Sequence, residues 1–159
     1  MYLSLLATAM DGRVAAEAHP AFVEIIKQLD SEEADLIRGV LQSPRAIGIV
    51  EVRLSTVGEN GWIILLKHLL SLTKNETGEQ IENSKIPAMV DNWIRLGLIN
   101  VDYAAHLTGT DSYTWVETRP EVSKLRKEHE SETRKISFTN GILIRTALGI
   151  QFAKAVGLT

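Results

Sequence analysis

Four histidines, His19, His68, His106 and His129, are the first candidates for metal binding or proton transfer. They are widely spaced. None forms a His-x-x-x-His pair or stands beside two carboxylates, so no metal site is expected. His19 suits a helix entrance next to Pro20, and His68 groups by spacing with Lys67 and Ser71 on an exposed stripe. The carboxylates Glu32 and Glu33, and Glu128, Glu130 and Glu132, lie in strongly polar stretches, unlike the buried settings that turn carboxylates into catalytic acids and bases. A solvated helix face accounts for them. No Gly-rich phosphate loop and no Gly-x-Ser-x-Gly turn is present, and the absence of cysteine removes thiolate chemistry. The residues therefore predict no catalytic group and no cofactor.

Nucleic-acid recognition has one candidate face. Lys85, Ala88, Asn92 and Arg95 fall on one side of a helix whose other side carries Ile86, Met89, Val90 and Trp93. Asn and Arg are the side chains that read adenine and guanine edges bidentately. Two cations are few for phosphate contacts, Asp91 adjoins them, and the net charge of the chain is -3. Lys85, Asn92 and Arg95 are the residues on which a nucleic-acid partner would depend.

The elements that must position these side chains follow from pattern. A chain of 159 residues with 45% hydrophobic and 23% charged residues predicts one globular domain with a real core. Apolar spacing predicts three opening helices, through Leu3, Leu6 and Met10, through Phe22, Ile25, Ile26 and Leu29, and through Leu36, Ile37, Val40 and Leu41. Pro20 fits the first turn of the second helix, and Asp30-Ser31-Glu32-Glu33 is a capping-box start for the third. Ala46–Leu54 predicts a strand of ambiguous register. Trp62–Thr73 predicts a buried helix with Trp62 in the core, too short to span a membrane. Ile86–Leu96 predicts a helix with Trp93 in the core, capped by Gly97 and followed by a short strand over Leu98–Tyr103. Residues 104–135 read as a polar insertion, irregular at first and then helical from a capping box at Thr118-Arg119-Pro120-Glu121, with Lys124–Glu128 and Glu130–Arg134 ion pairs. Asn140-Gly141 predicts the turn of a β-hairpin over Ile136–Ile144, and Thr146 caps a last short helix.

The sum is an α+β, mainly helical chain with the element order of a winged helix-turn-helix, residues 30–159, behind extra N-terminal helices, residues 1–29. Asn92-Trp93-Ile94-Arg95-Leu96-Gly97-Leu98-Ile99 resembles the passage from a recognition helix into a wing strand. A longer resemblance spans most of the chain. Leu3-Ser4-Leu5-Leu6-Ala7-Thr8-Ala9-Met10-Asp11 and His19-Pro20-Ala21-Phe22-Val23-Glu24-Ile25-Ile26-Lys27-Gln28-Leu29 resemble the hallmark block of the Abi-alpha (abortive infection alpha) family of bacteria and their mobile elements. Arg95–Ile99 and Leu148–Ala155 are similar to it as well. Because family members usually carry a further N-terminal region, the chain resembles the C-terminal portion of such a protein. The resemblance implies phage defence, in which an infected cell is sacrificed or arrested, and it brings no catalytic residue.

Together these readings predict a non-enzymatic, cytoplasmic module, with no membrane segment in this portion, that binds a protein partner or a second copy. A winged-helix DNA-binding regulator is the alternative. The self-association surface is expected at Leu3, Leu6 and Met10, an apolar stripe that should not face water.

Overall fold

The computed structural model describes residues 19–73 and 79–158. Along them run α1 (Ala21–Lys27), α2 (Ser31–Gln42), β1 (Ile47–Thr56), β2 (Ile63–Leu70), α3 (Ile86–Arg95), β3 (Ile99–Asp102), a 3-10 turn (Thr114–Thr118), α4 (Pro120–His129), β4 (Arg134–Arg145) and α5 (Ala147–Ala155). The four strands make one antiparallel sheet in the order β2-β1-β4-β3. The α+β class expected from pattern is present. The chain divides into two compact units: the described residues within Met1–Ile47, Asp91–Asn100 and Ile144–Thr159, and those within Gly48–Val90 and Val101–Leu143.

In the first unit the local signals act as expected. His19 Nδ1 accepts from Ala21 N at 3.1 Å, satisfying one donor at the start of α1. Asp30 accepts from Glu33 N at 2.8 Å while the Glu33 carboxylate accepts from Asp30 N at 3.2 Å, a complete capping box for α2. Gly97, at φ +72°, ends α3 and lets Leu98 N donate to Trp93 O. Thr146 caps α5 by accepting from Gly149 N at 2.9 Å. Burial then joins the elements: Phe22 and Phe152 meet edge-on with centroids 5.5 Å apart, and Ile37, Leu41, Trp93 and Leu98 of the same unit are fully buried. The stripe of Leu3, Leu6 and Met10 lies outside the described residues.

The second unit departs from expectation in three places. Trp62–Thr73 is not a helix; Ile63–Leu70 is strand β2, paired antiparallel with β1 through Ile49↔Leu70, Val50↔Leu69, Val52↔Leu66 and Leu54↔Ile63. A continuous apolar run has no period that separates helix from strand, and here β1 supplies the backbone partners. Asn140-Gly141 does not turn: β4 runs unbroken through it, and the turn between β1 and β2 lies at Val57-Gly58, closed by Glu59 N donating to Thr56 O at 3.1 Å, with Gly58 at φ +86° and Gly61 at φ +127°. Gly141 is glycine for another reason, since a Cβ there would stand 2.6 Å from Tyr103 Cδ1 and 2.9 Å from Asp102 O. A single strand between β1 and β3 thus stands where a two-stranded wing was expected.

The polar stretch of residues 104–135 is the third departure, because it contributes core. Val116 and Val122 pack with Val50, Val52 and Leu69, and Tyr113, Leu125 and Phe138 cover them. Thr118 does not cap α4. Its hydroxyl donates to Trp115 O at 2.9 Å instead, and Arg119 occupies the cap position without a side-chain cap. In place of the expected Lys124–Glu128 and Glu130–Arg134 pairs, Arg126 pairs with Glu117 at 2.8 Å and Glu130 at 3.5 Å, and Arg119 with Glu121 at 2.6 Å.

Candidate functional site

Two of the three residues expected to read DNA, Asn92 and Arg95, are used inside the first unit. Asn92 Nδ2 donates to Gln28 O at 3.1 Å and to Glu33 Oε1 at 2.9 Å. Arg95 donates through Nη2 to Gln28 Oε1 at 2.9 Å and to Asn92 Oδ1 at 2.6 Å. Helix α3 thus holds the α1–α2 corner. The α1 carbonyl end and the buried Glu33 of the capping box receive donors they would otherwise lack. Lys85 is exposed ahead of α3, and its backbone N donates to Asn83 Oδ1 at 2.9 Å. Asn92 and Arg95 come together, then, as a brace.

Two polar groupings of the second unit are legible only in three dimensions. His68, placed on an exposed stripe by spacing, is buried at the bulge of β2 opposite Glu51. It holds a left-handed φ of +57°, a conformation rare outside glycine. Tyr103 OH accepts from His68 N at 3.2 Å and lies 3.1 Å from His68 Nδ1, with the rings stacked. Arg119 is 1% exposed and spends its guanidinium on both Glu121 oxygens, at 2.6 and 3.0 Å, and on Leu72 O and Ile81 O. Between His68 and Arg119 lies a cavity of about 30 Å³, lined by Leu66, Leu70, Ile86 and Pro87 among others and sized for water. Among the described residues no three His, Asp or Glu side chains gather as a metal site would require.

Unspent surface is concentrated at the far end of the β1–β2 hairpin. Val57, Trp62, Ile63 and Ile64 are 64%, 57%, 61% and 44% exposed. Trp62 was expected in the core, where Trp93 does lie, fully buried. The exposed indole is nevertheless held. Glu51, buried, binds Arg53 Nε at 2.6 Å, and the Arg53 guanidinium stands 4.3 Å from the Trp62 ring centroid. A fixed carboxylate thus orients a cation, and the cation orients an aromatic ring. Beside the ring runs a groove of about 450 Å³ lined by Leu54, Thr56, Glu59, Gly61, Ile63 and Arg134. A rigid aromatic anchor with aliphatic neighbours and a charged rim has the make-up of a contact surface, since ordering it would cost little entropy. The sequence held one pointer to it, the glycines Gly58 and Gly61 between two apolar runs.

A family model described as abortive infection alpha matches residues 1–156. Among solved structures, one described as an uncharacterized protein from the hydrocarbon-degrading marine bacterium Alcanivorax borkumensis SK2 is similar, at 17% identity and a TM-score of 0.49, over 86% of this chain and 92% of that one. No curated protein matches the chain. Among the described residues no helix is long and apolar enough to cross a membrane.

Proposed function

The chain belongs to the abortive infection alpha family, and from that membership we propose that it serves phage defence in the cytoplasm by binding a macromolecular partner, without catalysis of its own. The observation that carries this reading is the hairpin end, where Trp62 is fixed by Arg53 and Glu51 and exposed beside Val57, Ile63 and Ile64. A large apolar group held rigid in water is costly unless a partner covers it. The buried polar side chains support the same reading, because Glu33, Glu51, His68 and Arg119 each have internal partners that fix them. Binding of DNA through α3 is not favoured, since Asn92 and Arg95 are engaged with Gln28 and Glu33.

The test is phage plating on cells that depend on this gene for protection. Trp62→Ala with Ile64→Ser is expected to abolish protection while thermal unfolding of the purified protein is unchanged. His68→Asn, which tolerates the left-handed backbone, together with His106→Gln and His129→Gln, is expected to retain it. Loss of protection in a folded histidine variant would overturn the non-catalytic reading.

A further inference from the structure

Two Asn-Gly pairs stand in this chain, Asn60-Gly61 and Asn140-Gly141. Both hold the same intrinsic chemistry. The glycine backbone nitrogen, on losing its proton, attacks Cγ of the preceding asparagine, closing a cyclic imide as the side-chain nitrogen leaves as ammonia. Water then opens the imide at either carbonyl, giving aspartate or isoaspartate. A neutral amide is exchanged for a carboxylate, with no oxidant or reductant consumed. Glycine leaves the attacking nitrogen unshielded because it has no Cβ. The reacting atoms must still reach a near-attack geometry, and ring closure turns the asparagine ψ away from the extended value of a strand. Backbone freedom therefore decides which pair reacts.

The fold treats the two pairs in opposite ways. Asn140-Gly141 lies inside β4, between β1 and β3, and Gly141 is buried against the Tyr103 ring and the Asp102 carbonyl. Its own carbonyl accepts from Tyr113 OH at 2.8 Å. Turning ψ of Asn140 would break the sheet at an interior strand. Asn60-Gly61 lies instead between the turn closed by Glu59 N and the start of β2 at Ile63. Both residues are exposed and in no helix or strand, and a Cβ on Gly61 would meet nothing within 4 Å. Among the described residues nothing accepts from Gly61 N. At φ +127° Gly61 holds a backbone conformation that side chains rarely adopt, so the approach to β2 requires glycine at the position that makes Asn60 labile. We propose that Asn60 is a site of spontaneous modification in the folded protein, converting to aspartate and isoaspartate, while β4 protects Asn140. Either product sets a carboxylate in the groove that Asn60 shares with Trp62 and Arg134. Isoaspartate also adds a methylene to the main chain two positions (62 − 60) ahead of Trp62. The proposal stands apart from what binds the hairpin end.

The experiment is prolonged incubation of the purified chain in neutral buffer, folded and in guanidinium chloride, followed by tryptic digestion and mass spectrometry. Trypsin releases the two pairs on separate peptides, residues 54–67 and 136–145, each with a single asparagine and no glutamine, so any amide-to-acid mass gain is assigned without ambiguity. In the folded protein, peptide 54–67 is expected to gain the acid and isoaspartate forms at least about tenfold faster than peptide 136–145. In guanidinium chloride the two rates are expected to converge, because the protection of Asn140 is lost with the sheet. Asn60→Gln, whose longer side chain closes the ring poorly, is expected to abolish the gain in peptide 54–67 while circular dichroism shows an unchanged fold. Equal rates in the folded protein, or a peptide 54–67 that reacts only after unfolding, would overturn the proposal. So would a difference between the peptides that persists in guanidinium chloride, since it would then belong to the local sequence and not to the fold.

Discussion

Gly141 was the most explicit turn signal near the C-terminal end, and it is where residue type and reason part. The strand passes through Asn140-Gly141 because the Tyr103 ring and the Asp102 carbonyl occupy the space of a side chain. Gly141→Ala is therefore expected to destabilise the protein by about 1–3 kcal/mol through overpacking. The cost should shrink by about 1 kcal/mol or more when Tyr103→Ala is present, in a double-mutant cycle read by urea denaturation. A turn requirement would leave the cost independent of Tyr103. His68 belongs to the same group of misread residues. Its neighbours in sequence suggested an exposed stripe, and its burial follows from a tyrosine 35 positions away that no local pattern contains.

Helices were more legible than strands, and capping chemistry explains why. Asp30 and Glu33 satisfy each other within one turn, so the start of α2 is written in four consecutive residues. Asp30→Ala is expected to cost about 1 kcal/mol and to lower the melting temperature by about 2–4 °C, measured by circular dichroism. For α3, Asn92→Ala discriminates between the two roles assigned to that helix. As a brace, Asn92 supplies donors to Gln28 O and Glu33, and its loss is expected to cost about 1–3 kcal/mol because the buried Glu33 oxygen is left short of a partner. A side chain kept for reading bases would show no change in urea midpoint. Strand β2 was mistaken for a helix because Trp62–Leu72 has apolar residues at every spacing. What decided its state was pairing with β1, a non-local fact.

At the scale of the molecule, neither unit is a continuous stretch of chain. The backbone passes between the two at residues 47/48, 90/91, 100/101 and 143/144. Sequence reasoning treats proximity in sequence as proximity in space, which holds for a cap and fails for a unit assembled from three segments. Phe22 is packed on Phe152 although 130 residues (152 − 22) separate them. Removing α5 by truncation after Arg145 is expected to take away Phe152, Ala153, Ala155 and Val156, all buried. The first unit should then lose its cooperative transition and expose Trp93, seen as a red shift in fluorescence. Retention of a cooperative melt with blue-shifted emission would show that α1, α2 and α3 suffice without it.

The same connectivity sets a clock on the ribosome. Because α5 comes last among the described helices, a nascent chain holds Phe22, Ile37 and Leu41 without this cover until residues 147–155 have been made. Closing a contact over so long a loop is entropically slow as well. A chain released before α5 is made, whether from a stalled ribosome or a degraded message, would lack a closed first unit. Such shortened chains would present the apolar faces of α1 and α2 to proteases.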